Sequence, residues 1–400
     1  MRLQSFIGNR SMKKKETSQE MTEATEEQKV MSKEDKIDIL KKFVKDHKRK
    51  FGEEKVVMGF GNEIDLNYDF IEAPIPSLSS LLAKPGEATG GIPRGMYTII
   101  GGPERSGKST FCWQLIANDQ LKDPTSIWAI AAPEPLDEDY MKLLGVDMER
   151  VFVIKDGLME DVMQRIIELS KTNTIKGFVV DSIGALTPKA EVYDSKGKEH
   201  ELEHTGMLDL QRKLGQFFRM SNVWVSRSKA ACILITHVYQ DPNGNGRYVL
   251  KGGNALKHFS YVRLKLSRSI DTSTDTDITM PDGNVVKIPT GHDVTFTLDK
   301  SKQNANENKS VVVPYRYGIG LDIHESNINM GINLGVIVRS GAWYSYTDSK
   351  GKEYKAQGRE SISKIFKEST GLSEELIKAV QIRLKAPDKF KAPAPNLDIV

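Results

Sequence analysis

An α/β fold built on a mainly parallel sheet is what the chain predicts, and three observations carry it. Short apolar runs (YTII, SIWAIAA, VFVI, GFVV, ACILITH, YVRLKL) alternate with stretches of helical apolar spacing (FCWQLIA, MKLLGV, VMQRIIEL, LDLQRKLGQFF). Alternation of this kind builds parallel sheets covered by helices. At 400 residues and 38% hydrophobic content, the chain can bury one substantial core plus smaller appended modules. Third, YTII, a glycine-rich turn and TFCWQLIA follow one another directly, which is the strand, loop and helix order of a phosphate-binding unit.

Taken in order, residues 1–31 are rich in Lys, Glu, Thr and Ser and lack helical apolar spacing, so they read as a flexible leader that cannot offset its ordering entropy. From Ser32 the pattern changes. Ile37, Ile39, Leu40, Phe43 and Val44 recur at near-helical spacing behind an N-cap at Ser32 with Asp35 at its third position. One amphipathic helix ending near Gly52 is expected, its apolar stripe covered either by its own domain or by a neighbouring subunit. A linker to residue 75 precedes a core over 76–320. After Ser267 comes a polar insert of Asp, Thr and Gly, then VTFTLDKSK and SVVVPYRYG, which alternate like neighbouring antiparallel strands. Beyond that, helical segments around Ile328 to Val338 and Ser361 to Leu384 surround the hairpin-like GAWYSYTDSKGKEYKAQG. A small α+β domain over 321–385 is expected, followed by a flexible Pro- and Lys-rich tail over 386–400.

The charge balance, 57 basic against 54 acidic residues for a net +3, does not make the whole chain a polycation, so any nucleic-acid site must be local. Cys112 and Cys232 sit in apolar stretches and match no metal or redox spacing, which suggests buried thiols in a reducing compartment. No run approaches 18 apolar residues and no apolar leader segment is readable. A cytoplasmic protein with no membrane partner is expected.

Residues Gly102, Pro103, Glu104, Arg105, Ser106, Gly107, Lys108 and Ser109, followed by Thr110, fit G-x-x-x-x-G-K-[ST]. Glycines let backbone N–H groups curl around phosphates at a helix N-terminus, Lys108 reaches the β- and γ-phosphates, and Ser109 ligates Mg2+. GFVVDS delivers Asp181 to the C-terminal end of a buried strand, where its carboxylate can hold the metal. Hydrolysis also needs a carboxylate to orient water. Glu134, just after SIWAIAA, is the candidate, the alternative being a surface glutamate in a loop.

GPERSGKST, VVDSIGALTPKAE, GGNALKHFSYVRL and GAWYSY resemble the RecA family of DNA recombinases, and KFGEEKVVMGFG resembles the segment after that family's N-terminal helix. The likeness spreads over most of the chain. ITHVYQ is similar to phage recombinases of the UvsX type, with His237 where bacterial RecA has Gln, which implies a bacteriophage origin. The resemblance implies a RecA-like P-loop ATPase core with an N-terminal helix and a small C-terminal domain. It implies a DNA-dependent ATPase using ATP and Mg2+ that forms a helical filament on single-stranded DNA. Such a filament pairs with homologous double-stranded DNA and exchanges strands in recombination and repair, and single-strand-binding and mediator proteins are further partners.

Residue by residue, the resemblance makes Asp137 and Tyr140 adenine contacts, adds Tyr317 to the nucleotide set, and makes His237 the γ-phosphate sensor. Lys300 and Lys302 match a pair that reaches a neighbour's ATP; at i and i+2 on a strand they point the same way. Lysines that merely protect an edge strand are the alternative. Counted back from Tyr140, Glu134 lies one residue nearer than the family's catalytic glutamate, so a deletion or a slightly different loop path is implied.

DNA contacts are expected from two loops, about Glu191 to Gly206 and about Val238 to Gly253. Tyr239, Arg247, Tyr248, Lys251, Gly252, Gly253 and Asn254 belong to the second, and Arg212 matches a backbone-contacting arginine on the helix between them. Lys350, Lys352, Lys355 and Arg359 form a basic cluster that could collect duplex DNA or simply face solvent. HELEH, from His200 to His204, fits a zinc-protease motif. Its polar, glycine-flanked setting lacks the rigid helix and third ligand that such a site needs, leaving incidental metal binding or a pH-sensitive DNA contact. Two other functions share the phosphate site: a ring-shaped helicase-type ATPase and a filament mediator that binds ATP without turnover.

Overall fold

Two units, residues 1–67 and 68–400, divide the chain. The structure is a computed structural model that describes residues 32–52, 58–60, 62, 68–194, 196–199, 209–240, 248–250, 253–280, 284–302 and 306–385. The expected leader, the tail and the HELEH motif lie outside these residues.

In the first unit, α1 (Lys33–Phe51) begins at Ser32 with a reciprocal cap. The Ser32 hydroxyl accepts from Asp35 N at 3.0 Å, and Asp35 accepts back from Ser32 N at 3.3 Å. Glu34 and Asp35 in the first turn and Lys48, Arg49 and Lys50 in the last complement the helix dipole. Despite this, α1 buries none of its nineteen residues among those described. Ile39, Leu40, Phe43 and Phe51 are each about half exposed.

The second unit opens with β1 (Phe70–Glu72), α2 (Pro76–Leu82) and β2 (Gly91–Pro93), the two strands pairing antiparallel. The core then runs β3 (Tyr97–Gly102), α3 (Lys108–Lys122), β4 (Trp128–Ala131), α4 (Glu138–Leu143), β5 (Val151–Ile154), α5 (Met159–Thr172), β6 (Gly177–Val180), α6 (Lys189–Val192) and α7 (Asp209–Ser228). It continues with β7 (Ala231–Gln240), β8 (Tyr248–Leu250), α8 (Gly253–Phe259), β9 (Ser260–Thr279), β10 (Val285–Ser301), β11 (Ser310–Arg316) and β12 (Gly320–Leu321). Among the described residues one ten-stranded sheet results, in the order β12-β11-β10-β9-β3-β7-β6-β4-β5, with β8 paired to β7. From β9 through β3, β7, β6 and β4 to β5 the pairing is parallel; from β9 to β12 it is antiparallel. This is an α/β fold with a mainly parallel centre.

Period-two alternation explains why helices cover both faces. On β7, Ala231, Ile233 and Ile235 enter the core beneath α3, whereas Cys232 and Leu234 enter the core beneath α5 and α7. β4 does the same, with Trp128 and Ile130 on one side and Ala129 and Ala131 on the other. Both cysteines are free thiols buried in these cores.

Four local expectations are corrected. The polar insert after Ser267 is not a separate excursion, because its backbone extends the hairpin of β9 and β10 out to the pair Val285↔Thr279. Val238 and Tyr239 are not loop residues: they continue β7 and pair with Leu250 and Val249 of β8. The strand carrying Lys300 stops at Ser301, with a bulge between Leu298 and Lys300, so Lys302 lies beyond it and the i, i+2 strand geometry does not apply. The segment drawn as helical from Ile328 to Val338 is α9 (Ile323–Asn333) followed by β13 (Val338–Ser340), the break falling at Leu334 and Gly335. Beyond it, β14 (Trp343–Thr347) and β15 (Glu353–Gln357) complete a three-stranded antiparallel sheet, and α10 (Arg359–Glu368) and α11 (Thr370–Lys385) close a small core of Ile328, Ile337, Tyr344, Tyr346, Phe366 and Leu376.

Candidate functional site

Four parallel strands, β3, β7, β6 and β4, end at one edge of the sheet, and each delivers a chemistry-bearing residue there. β3 runs into the 103–107 loop. Gly102 has no room for a side chain: a Cβ would stand 2.5 Å from Leu266 O and 2.7 Å from Ser106 Oγ. Arg105 (φ 58°) and Gly107 (φ 82°) are both left-handed, a geometry that turns successive N–H groups inward as an anion nest. Gly107 is the N-cap of α3, and no side chain caps that helix among the described residues. Its first-turn N–H groups and the positive end of its dipole are therefore left to the loop. Packing rather than capping holds α3 in place. Ten of its fifteen residues are buried, and Gln114 clasps Leu321 through bonds of 2.9 and 3.0 Å.

Lys108 is 6% exposed and donates to Pro103 O at 2.6 Å; Ser106 Oγ donates to the same carbonyl at 2.8 Å. Burial pulls the Lys108 pKa down, against the pull of Asp181, Glu104 and Glu134. Asp181 follows β6, its N–H bonded to Ala131 O of β4 at 2.9 Å. Burial pushes its carboxyl upward, opposed by a hydrogen bond from Ser109, while Glu134 adds to the rise and Lys108 and His237 resist it. These groups therefore feel one another's charge. Glu134 is exposed in the loop after β4 and accepts from Ser182 Oγ at 3.4 Å. His237, half-buried on β7, pairs with Gly102 at the mouth of the loop.

The donor set fits a triphosphate with Mg2+. The nest and the open helix end suit phosphate oxygens, and a hydroxyl with one carboxylate, Ser109 and Asp181, suits a cation that keeps phosphate and water ligands. Among the described residues no cluster of three or more His, Cys, Asp or Glu is placed to hold a metal.

A cavity of about 420 Å³ adjoins the loop, lined by residues 105–110 and by Arg268, His292, Tyr315 and Tyr317. Of the residues expected there, Tyr317 lines the cavity. Tyr140 stands at its border, its hydroxyl 3.0 Å from that of Tyr315 and 3.4 Å from Thr110 Oγ1. Burial raises the Tyr140 hydroxyl to about 12. Asp137 caps α4, accepting from Tyr140 N at 2.9 Å. Arg268, His292 and Tyr315 were not found from the sequence. His292 shares the buried face of β10 with Val294, Phe296 and Leu298, and a lone histidine in such an apolar alternation was the available signal.

Lys300 and Lys302 are not at the cavity. Lys300 lies eight residues along β10 from His292 and donates to Lys257 O at 2.6 Å, and the Lys302 N–H bonds Tyr261 O at 3.0 Å. Burial first, then Lys302 and Arg263, lower the Lys300 pKa.

Of the DNA candidates, Arg212 is exposed on α7, Tyr239 is 48% exposed on the β7–β8 ribbon, and Gly253 and Asn254 open α8. Tyr248 pairs through its backbone with Gln240. Arg247, Lys251 and Gly252 lie outside the described residues. In the C-terminal sheet, Lys352 sits over Tyr354 at 4.7 Å and Lys355 over Trp343 at 5.4 Å, while Lys350 is exposed. Arg359 pairs with Glu325 at 2.6 Å, which offsets its charge within the expected cluster. No described helix is long and apolar enough to cross a membrane.

Comparison with known proteins identifies the family. The family model of the RecA N-terminal domain matches residues 38–293, and that of the RecA C-terminal domain matches residues 326–385. The chain is 31% identical over 346 residues to Protein RecA of Clostridium novyi (strain NT), covering 86% of this chain and 90% of that protein. It is 32% identical over 296 residues to Protein RecA of Campylobacter lari, covering 73% and 79%. Against Protein RecA of Francisella tularensis subsp. tularensis the identity is 30% over 343 residues, covering 86% and 88%. With both domain models matched in order along one chain, this protein belongs to the RecA family of recombinases.

Proposed function

We propose that this RecA-type recombinase binds ATP and Mg2+ at the strand-end site, polymerises on single-stranded DNA, pairs it with a homologous duplex and exchanges strands. The observation that carries the reading is the convergence of the 103–107 loop, Asp181, Glu134 and His237 at one sheet edge. Lys108 leaves Pro103 O to meet the β- and γ-phosphates, and the α3 N-terminus holds the β-phosphate. Ser109 and Asp181 would hold Mg2+, which would supply charge neutralisation for the transferring phosphoryl group. Glu134 orients a water whose oxygen attacks the γ-phosphorus as the bond to the β-bridging oxygen breaks, leaving ADP and phosphate. Tyr140, Asp137 and Tyr317 hold the base.

His237 sits where β7 passes the loop, and the same strand runs on to the β8 ribbon. A γ-phosphate at His237 would act along β7 on the DNA-contact candidates of the ribbon and its neighbours, Tyr239, Gly253, Asn254 and, on α7, Arg212, with Arg247, Tyr248, Lys251 and Gly252 belonging to the same candidate set. Lys300 and Lys302 serve the ATP of an adjoining copy, which makes hydrolysis conditional on assembly. The half-exposed apolar stripe of α1 supports its use as a contact between copies, since burying each such side chain stabilises by about 1 kcal/mol or more. Residues 32–75, 76–320 and 321–385 then act as assembly arm, motor and duplex-collecting domain of a cytoplasmic protein that works beside single-strand-binding and mediator proteins. The exposure of Glu134 favours one competing reading, a mediator that binds ATP without turnover.

ATP hydrolysis with and without single-stranded DNA, together with electron microscopy of the mixture, tests the proposal. Strong stimulation with helical polymers is expected. DNA-independent turnover, closed rings or solitary particles would overturn it.

A further inference from the structure

Glu160 occupies a place that the nucleotide chemistry does not explain. It stands in the first turn of α5, and its carboxylate is shared between two segments far apart in sequence. Oε2 accepts from the Lys189 N–H at 2.8 Å, at the start of α6, and Oε1 meets Lys213 Nζ at 3.0 Å on α7. Those segments are the stems of the first loop expected to contact DNA, about Glu191 to Gly206: Lys189 lies on the way in and Lys213 on the way out. Asp161 holds the entering stem a second time, through Lys189 Nζ at 2.5 Å. Backbone bonds from Met159 N to Thr187 O and from Thr187 N to Gly157 O, each 2.9 Å, fix the start of α5 against the same stem. On the exit side, Met163 and Ile166 of α5 share one buried core with Leu214 of α7.

We infer that Glu160 is a positioning residue for single-stranded DNA, fixing the separation of the two stems so that the loop between them is presented ready to bind. This rests on the reading of that loop as a DNA contact and goes beyond it by naming the group that orders it. The side chains of Glu160 and Lys213 are only 24% and 25% exposed, so the pair is shielded beyond an ordinary surface ion pair. Burial would raise the Glu160 carboxyl, yet the Lys189 N–H and the Lys213 ammonium hold it below the usual range, so it is ionised at neutral pH. A loop whose ends are already fixed loses less freedom when it closes on a ligand. Neither Lys189 nor Lys213 belongs to the phosphate site, so the influence of the carboxylate falls on the DNA step and not on the cleavage step.

The test is ATP hydrolysis by the full chain with Mg2+, measured against increasing oligothymidylate, together with the unstimulated rate. In Glu160→Ala the DNA concentration for half-maximal stimulation should rise about tenfold, while the rate at saturating DNA and the unstimulated rate stay within about twofold. Lys213→Met should raise that concentration about threefold on its own and add nothing to Glu160→Ala, because both remove the same tie. If Glu160→Ala does not fold, Glu160→Gln serves instead. It keeps an acceptor for the Lys189 N–H but not the charge, and should give a rise of about threefold that Lys213→Met does not increase. An unchanged half-maximal concentration, additive effects of the two substitutions, or an equal fall in the unstimulated rate would show that Glu160 only braces α5. Wild-type hydrolysis indifferent to oligothymidylate would overturn the DNA reading itself, and the inference with it.

Discussion

Helices α1 and α3 solve the same problem, four unsatisfied N–H groups at an N-terminus, in opposite ways. α1 closes its own end with the Ser32 and Asp35 box and then buries nothing. α3 leaves its end open behind a left-handed glycine and buries ten of its fifteen residues. Local chemistry makes α1 a helix, and tertiary packing makes α3 one. The helix that is self-sufficient at its terminus leaves Ile39, Leu40, Phe43 and Phe51 about half exposed among the described residues, whereas the helix committed to the core leaves its terminus uncapped. Stability and availability are traded along each helix, not between them.

The largest effect that would break this comparison is at the open end. Lys108→Ala removes the cation beside the α3 terminus, and a phosphate-release assay should show hydrolysis reduced by at least about a hundredfold. Near-normal turnover would mean that the open terminus is not a phosphate site. Next comes the half-exposed apolar stripe of α1. Phe43→Asp places a charge in its stripe and should raise the concentration for half-maximal assembly, read by light scattering, by at least about tenfold. The melting of the core should not move, because the side chain is 48% exposed; a lowered Tm would mean that the stripe is covered within the protomer.

A smaller effect is expected at Lys300. Its lowered pKa means that the charge is lost at a lower pH than in an ordinary lysine. DNA-stimulated hydrolysis should therefore decline as pH rises, before free lysine would titrate, and Lys300→Arg should stay flat over that range. The linked stability effect has the opposite slope. The folded state releases this proton more readily than the unfolded chain does, so folding is slightly favoured as pH climbs between the two pKa values. Identical pH profiles for the two proteins would remove Lys300 from the reaction. Smallest is Ser32→Ala, which should cost α1 about 1 kcal/mol, visible as lost helicity in circular dichroism while the Tm of the core is unchanged.

The phosphate loop was legible because everything it needs is local: a strand, a glycine turn and a helix within about twenty residues. The cap of α1 was legible for the same reason. His292, Tyr315 and Arg268 come from strands more than 150 positions further along, and only pairing across β9, β10 and β11 brings them beside the loop. The strand character of the insert after Ser267 was not legible because DTSTDTD has no apolar alternation to carry a period-two signal. Val238 and Tyr239 were misread because the glycine- and asparagine-rich stretch after them masked two more residues of strand. The Lys302 geometry failed because the strand stops at Ser301, one residue short of it, an end that the polar DKSK stretch does not mark.

β10 carries His292 at its middle and Lys300 next to its C-terminal end. Eight strand steps at about 3.3 Å each set them roughly 26 Å apart. If the lysine serves the adjoining copy while the histidine faces its own cavity, this one strand is a molecular ruler between consecutive fuel sites. The axial repeat of the proposed polymer would then be written into a β-strand, and adding two residues between Thr295 and Leu298 would lengthen the repeat without replacing His292 or Lys300.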